Sequence, residues 1–332
     1  MKVGIWIQPT TDVRTVAERA RRAEDGGADF VGITDGQMIW RDAYVALTLA
    51  ASNTSRVHLG PWVTNAATRH LTVTANTIAT LDELTGGRMF LGIGNGDDSV
   101  RTINQPRTTL DELAATVATM RKLMGGEAVT NEGHAWSLAT ARPTAPPIYW
   151  AASGPRSLRY AGIHADGVVH SGWLVPELMA EDLAHVDAGV AESGREPGSY
   201  ARIFNTAVAI HPDREVALNW ARGYAARAFI YDASTRIEGW DEEKRKSLLS
   251  KYDYYKHFSN DNTAAAHVPA ELITRKVVAG TPDDAAELLS MVRRAGYTHA
   301  ALIPVGDDVD LVTSLLLDEV LPALGDPTPA QT

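Results

Sequence analysis

The 332 residues carry 41 Asp plus Glu against 31 Lys plus Arg, a formal net charge of −10, so phosphate backbones and anionic membrane surfaces are repelled rather than attracted. Hydrophobic residues at 45% and charged residues at 22% describe a folded globular chain and exclude disordered and fibrous classes. With no cysteine, thiol nucleophiles, disulfides, thiolate zinc sites and iron–sulfur clusters are excluded together, and the chemistry is either sulfur-free or borrowed from a cofactor.

The chain opens on a strand pattern, VGIWI at 3–7, without a signal-peptide run, and no window further on holds the roughly 18 uncharged apolar residues of a membrane span. A cytoplasmic protein with no membrane partner is expected. Val13, Val16, Ala17, Ala20 and Ala23 recur at helical spacing behind Asp12 as a cap, and Gly26-Gly27 stops that helix. A second strand spans 29–34, a helix 42–51, a third strand 57–63, a helix 71–84 and a fourth strand 88–93. Thr109 and Glu112 make a capping box for a helix ending at Gly125-Gly126. A hairpin turns at Asn131-Glu132-Gly133. The cycle resumes with a strand at 147–152, a helix at 155–161, a strand at 166–172, a helix at 176–192, a strand at 201–210 and a helix at 213–229.

Residues 231–270 break this rhythm with a charged, aromatic run longer than a usual connection, read as an inserted helical excursion. A helix at 282–295, an eighth strand at 298–304 and a helix at 309–324 follow, and 326–332 reads as a loose polar tail. Eight strand–helix cycles predict an α/β protein, a (β/α)8 TIM barrel forming one domain over 1–325, with a helical insertion between the seventh and eighth units. In that fold the site lies at the C-terminal ends of the strands, and the insertion, emerging at or near the pocket rim, is expected to form a partly mobile cover over the substrate side unless it is a dimer or surface helix.

Residues just past each strand then face one pocket: Trp6 and Gln8; Asp35, Gln37 and Trp40; Trp62, Thr64 and Asn65; Asn95, Asp97 and Asp98; Trp150 and Ser153; His170, Ser171 and Trp173. Five of the eight tryptophans fall there, and indole walls with a few polar groups suit a flat, partly polar ligand. Trp6, Trp40, Asp97 and Trp173 are the candidate substrate contacts, and Asp35, Gln37 and His170 the candidate proton donors or orienting groups. Barrel filling competes for each tryptophan, and a buried, satisfied imidazole for His170. In AASGPRSLRYAG (151–162) Gly154 ends a strand and Pro155 takes the first helical position. That leaves the amides of Gly154, Arg156 and Ser157 free beside the Arg156 guanidinium, an anion site whose usual guest is phosphate, unless it is a plain helix start. In LGIGNGDDS (91–99) Asp97 stands where the third glycine of a dinucleotide fingerprint belongs, so the loop is read as one that approaches a ligand closely. There is no Walker motif and no H-E-x-x-H, and no metal is expected.

Together ITDGQMIWRDAYV (33–45), LGPWVTNAATRH (59–70), TLDELTGGRMFLGIGNGD (80–97) and AASGPRSLRYAGIHADGVV (151–169) resemble the luciferase-like flavin- and deazaflavin-dependent oxidoreductases, in the branch related to methylenetetrahydromethanopterin reductase. The resemblance runs over about 3–305. It implies a TIM barrel that holds FMN or coenzyme F420 at the strand C-termini, with a bulge and a non-prolyl cis peptide at Trp62–Val63. It also implies cofactor contacts from Asp35, Trp62, Val63, Thr64 and Asn95, and a phosphate cradle from Ala151, Ala152, Ser153, Gly154, Pro155 and Arg156. Arg156 and Arg69 are the basic groups expected to meet the anionic tail of F420. Gly36 stands where many deazaflavin-dependent relatives carry histidine, and Asp97 and Asp98 where they carry glutamate, so a sugar-phosphate dehydrogenase is not expected. Three functions stay open: F420-dependent hydride transfer to or from a small organic substrate, an FMN monooxygenase fed by a separate flavin reductase, and a non-catalytic flavin-binding protein. The T-R-H and G-P-R motifs favour the first. The family implies a homodimer; no nucleic-acid partner is expected.

Overall fold

Short apolar runs bounded by glycine and polar residues become the barrel strands: β1 (Lys2–Ile7), β2 (Phe30–Ile33), β3 (His58–Pro61), β4 (Leu91–Gly94), β5 (Ile148–Ala152), β6 (Gly167–His170), β7 (Ala201–Ile210) and β8 (His299–Pro304). The computed structural model describes residues 1–231 and 236–325; the tail expected at 326–332 and part of the insertion fall outside them. All eight strands pair in parallel with their sequence neighbours, and β1 pairs with β8. Leu59 bridges to Met89, and Thr64–Asn65, the continuation of β3, pairs with Ile93 and Gly94. The ring is closed, as the eight strand–helix cycles predict. Among the described residues no helix is long and apolar enough to cross a membrane.

Several elements differ from expectation. The helix expected at 213–229 is two, Arg214–Trp220 and Arg222–Tyr231. The excursion runs on to about Lys276 as the helix Glu242–Leu249 and a series of 3-10 turns. A short strand, Val278–Gly280, then pairs in parallel with the end of β7. Three apolar residues between glycine and lysine carry too little pattern to identify such a strand beforehand. The hairpin is present, with Glu132 at φ 47° and Gly133 at φ 81°, the positive dihedrals a tight hairpin turn requires.

Because strand side chains alternate, the barrel has two cores. Inside lie Phe30, Trp62, Phe90, Val169, Ile203 and Ala301, with Trp6, Val63, Tyr149 and Ala151 packed against them. The rings of Trp62 and Phe90 meet edge to face, 5.5 Å apart at 89°, a favourable quadrupole arrangement. Glycines make room for these rings: a Cβ on Gly4 would lie 2.2 Å from Phe30, and one on Gly60 2.4 Å from Phe90. Outside, β-branched and aliphatic side chains such as Ile5, Val31 and Val168 face the helices. Glu24, near the end of the helix Val13–Asp25, fixes the start of β3 by accepting the amides of Ser55, Arg56 and Val57 at 2.9, 2.6 and 2.9 Å. Burial opposes its charge, but these three amides outweigh that and bring its pKa down to about 2.

Candidate active site

The C-terminal ends of the strands open into a cavity of about 780 Å³, within the range of ligand pockets. Its apolar base is Val63, Gly94, Ala151 and Val169, lying on the inner aromatic core. The Trp62–Val63 peptide at this base is cis, at the position the resemblance implies. Trp62 itself is 1% exposed and its indole donates to Asn205 Oδ1 at 2.9 Å, while Asn205 donates to Ser171 Oγ at 2.8 Å.

One wall is polar and braced from behind. Asp35 accepts Thr64 Oγ1 at 2.7 Å and Arg69 at 2.8 Å, and Arg69 also reaches Asp42 at 2.9 Å. The Arg69 guanidinium lies over the Tyr44 ring at 4.5 Å, so its charge is spent on positioning Asp35 rather than offered to an anion. Asn95 donates to the Thr108 carbonyl at 2.7 Å, which folds the loop after β4 back over the cavity. At the far end the helix Pro155–His164 begins. Its Gly154 amide is not free as expected, because it donates to Ser157 Oγ at 3.1 Å. The first-turn amides of Arg156 and Ser157 remain, beyond the reach of any intrahelical acceptor, and Ala151 to Ser157 all line the cavity.

The opposite wall comes from the insertion and the helix before it: Arg227, Tyr231, His257 and Phe258. Phe258 stacks on Tyr224 at 5.0 Å and on Trp40 at 6.2 Å. His257 Nε2 lies 2.8 Å from Asp98 Oδ2, and Arg227 lies 3.6 Å from Asp97. Burial disfavours the charged form of Asp98, but His257, Arg227 and Arg101 outweigh it and hold the carboxyl below its ordinary value.

Of the sequence-derived candidates, Trp6, Asp35, Trp40, Trp62, Val63, Thr64, Asn95, Asp97 and the stretch Ala151 to Arg156 line this cavity. Gln37, His170 and Trp173 do not. Gln37 turns its amide to the Ser99 carbonyl at 2.7 Å. His170 follows the inward-facing Val169, so strand alternation sends it outward, where Nδ1 sits 2.6 Å from Tyr297 Oη and Nε2 3.4 Å from Asp182. Trp173 is buried against Phe229 at 5.2 Å, with Lys276 Nζ 4.2 Å above its ring. Trp150 is likewise buried on the helix side, beside His164. Arg227, His257 and Phe258 escaped sequence reasoning because they sit on no strand; the aromatic and charged character of the excursion was the signal for His257 and Phe258, while Arg227 lies in the helix before it.

Comparison with known proteins agrees with this geometry. The luciferase-like monooxygenase family matches residues 1–299, and the chain belongs to that family. The 5,10-methylenetetrahydromethanopterin reductase of Archaeoglobus fulgidus is 30% identical over 98% of this chain and 100% of its own length. The F420-dependent glucose-6-phosphate dehydrogenase of Kineococcus radiotolerans is 29% identical over 93% and 92%. The solved structure of the coenzyme F420-dependent tetrahydromethanopterin reductase of Methanopyrus kandleri superimposes with a TM-score of 0.84 at 25% identity, covering 97% of this chain and 99% of that one.

The exposure of Arg156 fixes how much it contributes to an anion site. Its side chain is 71% exposed and lies 3.9 Å from Asp111, so its field is screened and partly shared. Arg156→Ala is expected to weaken binding of a phosphate-bearing cofactor by roughly threefold, with the difference vanishing at high salt. Titration at two ionic strengths checks this.

Proposed function

We propose that the protein is a coenzyme F420-dependent oxidoreductase that transfers a hydride between the bound deazaflavin and a small organic substrate. The observation that carries this reading is the form of the cavity: an apolar base of small side chains that fits a flat ring, running into the open amides of a helix N-terminus that fit a phosphate. The Kineococcus dehydrogenase and the Methanopyrus reductase structure, both matched over more than 90% of their length, are named for F420, which supports it. When bound, the deazaflavin supplies two-electron hydride chemistry and is not a one-electron donor to oxygen. Val63 and Ala151 support the ring, Asp35 and Asn95 give it polar contacts, and Ser153 to Ser157 receive the phosphate. Trp40, Phe258 and the rest of the insertion wall cover the substrate and exclude water.

The test is to titrate the protein with F420 and with FMN separately, then to assay F420-linked reduction of 5,10-methylenetetrahydromethanopterin with and without air. Micromolar or tighter F420 binding, and turnover indifferent to air, is the expected result. Tight FMN binding with oxygen consumption and no affinity for F420 would overturn the reading and promote a monooxygenase.

The same reading includes a homodimer. The helix Ala43–Asn53 carries no charged residue, and neighbouring Leu71–Thr85 none before Asp82. Yet Val45 and Val73 are 53% and 54% exposed on them. An uncharged outward face on adjacent helices is unusual for a surface left in water. Sedimentation of wild type and Val73→Asp is expected to give a dimer and a monomer respectively.

A further inference from the structure

We propose that Arg227, on the insertion side of the cavity, is the residue that selects the substrate, and that what it selects is a carboxylate. This rests on the hydride-transfer reading above and deepens it by naming the class of small organic molecule the site takes: an organic acid with one planar anionic group and an aromatic or unsaturated body.

A guanidinium carries five N–H donors and no acceptor, so one withdrawn from water needs acceptor oxygens around it. Arg227 lacks them. Its side chain lines the cavity and is 23% exposed, and its Nε is buried without a hydrogen-bond partner. The carboxylate it pairs with, Asp97, stays 3.6 Å from Nη2, beyond hydrogen-bond length. Asp97 is instead taken by Arg101, which donates from Nε to Oδ1 at 3.0 Å, and Asp98 by His257 at 2.8 Å. Arg69 makes the contrast: its side chain is similarly enclosed, at 21% exposed, yet it reaches Asp35 and Asp42 at 2.8 and 2.9 Å. The other arginines of the cavity lining are placed elsewhere. Arg107 donates from Nε to the Gly96 carbonyl at 2.8 Å, and Arg156 stands at the far end beside Asp111. Arg227 is thus the guanidinium on the insertion wall whose terminal N–H groups have no acceptor among the described residues.

The way Arg227 is held determines what completes it. Its guanidinium carbon lies over the Tyr231 ring at 4.6 Å and the Phe258 ring at 5.8 Å. Rings engage the face of a guanidinium and leave its edge, where the N–H groups point, for a partner in its plane. Two parallel N–H bonds match the two oxygens of a carboxylate. Burial opposes the charge of Arg227, but Asp97, Tyr224, Tyr231 and Asp98 outweigh it and keep the group cationic. The same two acids repel a second negative charge on a ligand, which disfavours a phosphate dianion here. Phe258, stacked with Trp40 at 6.2 Å, lines the cavity beside Arg227 and offers the body of the acid an apolar surface.

The test is calorimetric titration of the full-length protein, free of cofactor and again loaded with F420, with benzoate, benzamide and phenyl phosphate at low ionic strength. Wild type is expected to bind benzoate roughly tenfold or more tighter than benzamide. Arg227→Gln is expected to lower that ratio roughly tenfold, and Arg227→Lys, which keeps the cation but not the two-pronged donor, to retain part of it. Benzoate bound no tighter than benzamide by wild type, or the wild-type ratio in Arg227→Gln, overturns the proposal. A mere counter-ion of Asp97 gives the second of these results, with lower stability in urea and an unchanged ratio. Phenyl phosphate bound tighter than benzoate and lost likewise in Arg227→Gln overturns the carboxylate class. Where Arg227→Gln does not fold, an unchanged ratio in Arg227→Lys has the same overturning force. Wild-type protein that binds no F420 brings down the functional reading instead, and the cofactor-free titration still judges Arg227.

Discussion

Trp62→Ala is expected to destabilise the protein by about 3–5 kcal/mol, the cost of emptying a large aromatic site in a core that cannot collapse around it. The side chain fills the barrel between Phe30 and Phe90, with ring centroids at 5.6 and 5.5 Å. The walls around it are hydrogen-bonded strands with little freedom to move inward, so the cavity persists. The substitution also leaves Asn205 Oδ1 without its indole donor and loosens Ser171 at the cavity edge. Urea unfolding of the wild type, Trp62→Ala and Trp62→Phe checks this. The phenylalanine variant retains part of the plug and should fall between the other two; an alanine variant within 1 kcal/mol of wild type (on the order of one lost hydrogen bond) would show that Trp62 is not a structural plug.

Glu24→Ala should cost about 3 kcal/mol, because three backbone amides at the start of β3 lose a charged acceptor together. The pH dependence follows from the lowered pKa. A carboxyl whose folded value is about 2, against 4.5 for the unconstrained group, contributes its full stabilisation above the higher value. That contribution is lost as pH falls from 4.5 toward 2. Stability measured from pH 7 downward should thus decline more steeply in wild type than in Glu24→Gln through this window. Parallel curves would mean that the carboxylate charge is not what holds the segment.

The barrel was legible because its signal is periodic. Runs such as VGIWI and DFVGIT alternate with helical spacing closed by glycine pairs, and eight repetitions leave few topologies. The site was half legible. Asp35, Thr64 and the 151–157 stretch sit where strand ends must converge, so position in the cycle sufficed. His170 and Trp150 show the limit of that argument: a shift of one residue along a strand reverses the face, and alternation puts Val169 and Ala151 inside while their neighbours meet the helices. Trp173 was misplaced for another reason, since its indole anchors the insertion rather than the cavity wall. The pairing of Asp98 with His257 spans 159 positions and follows no period, so only the folded chain brings it into view.

The two halves of the cavity have different origins in the chain. The apolar base and the helix N-terminal end are built by barrel strands and the turns that close them, whereas Tyr231, His257 and Phe258 come from the excursion and the helix leading into it. On the function proposed above, substitutions in that segment change the substrate side while leaving the residues assigned to the cofactor in place. For an engineer, the same division marks residues 250–258 as the place to diversify and residues 151–157 as the place to leave alone.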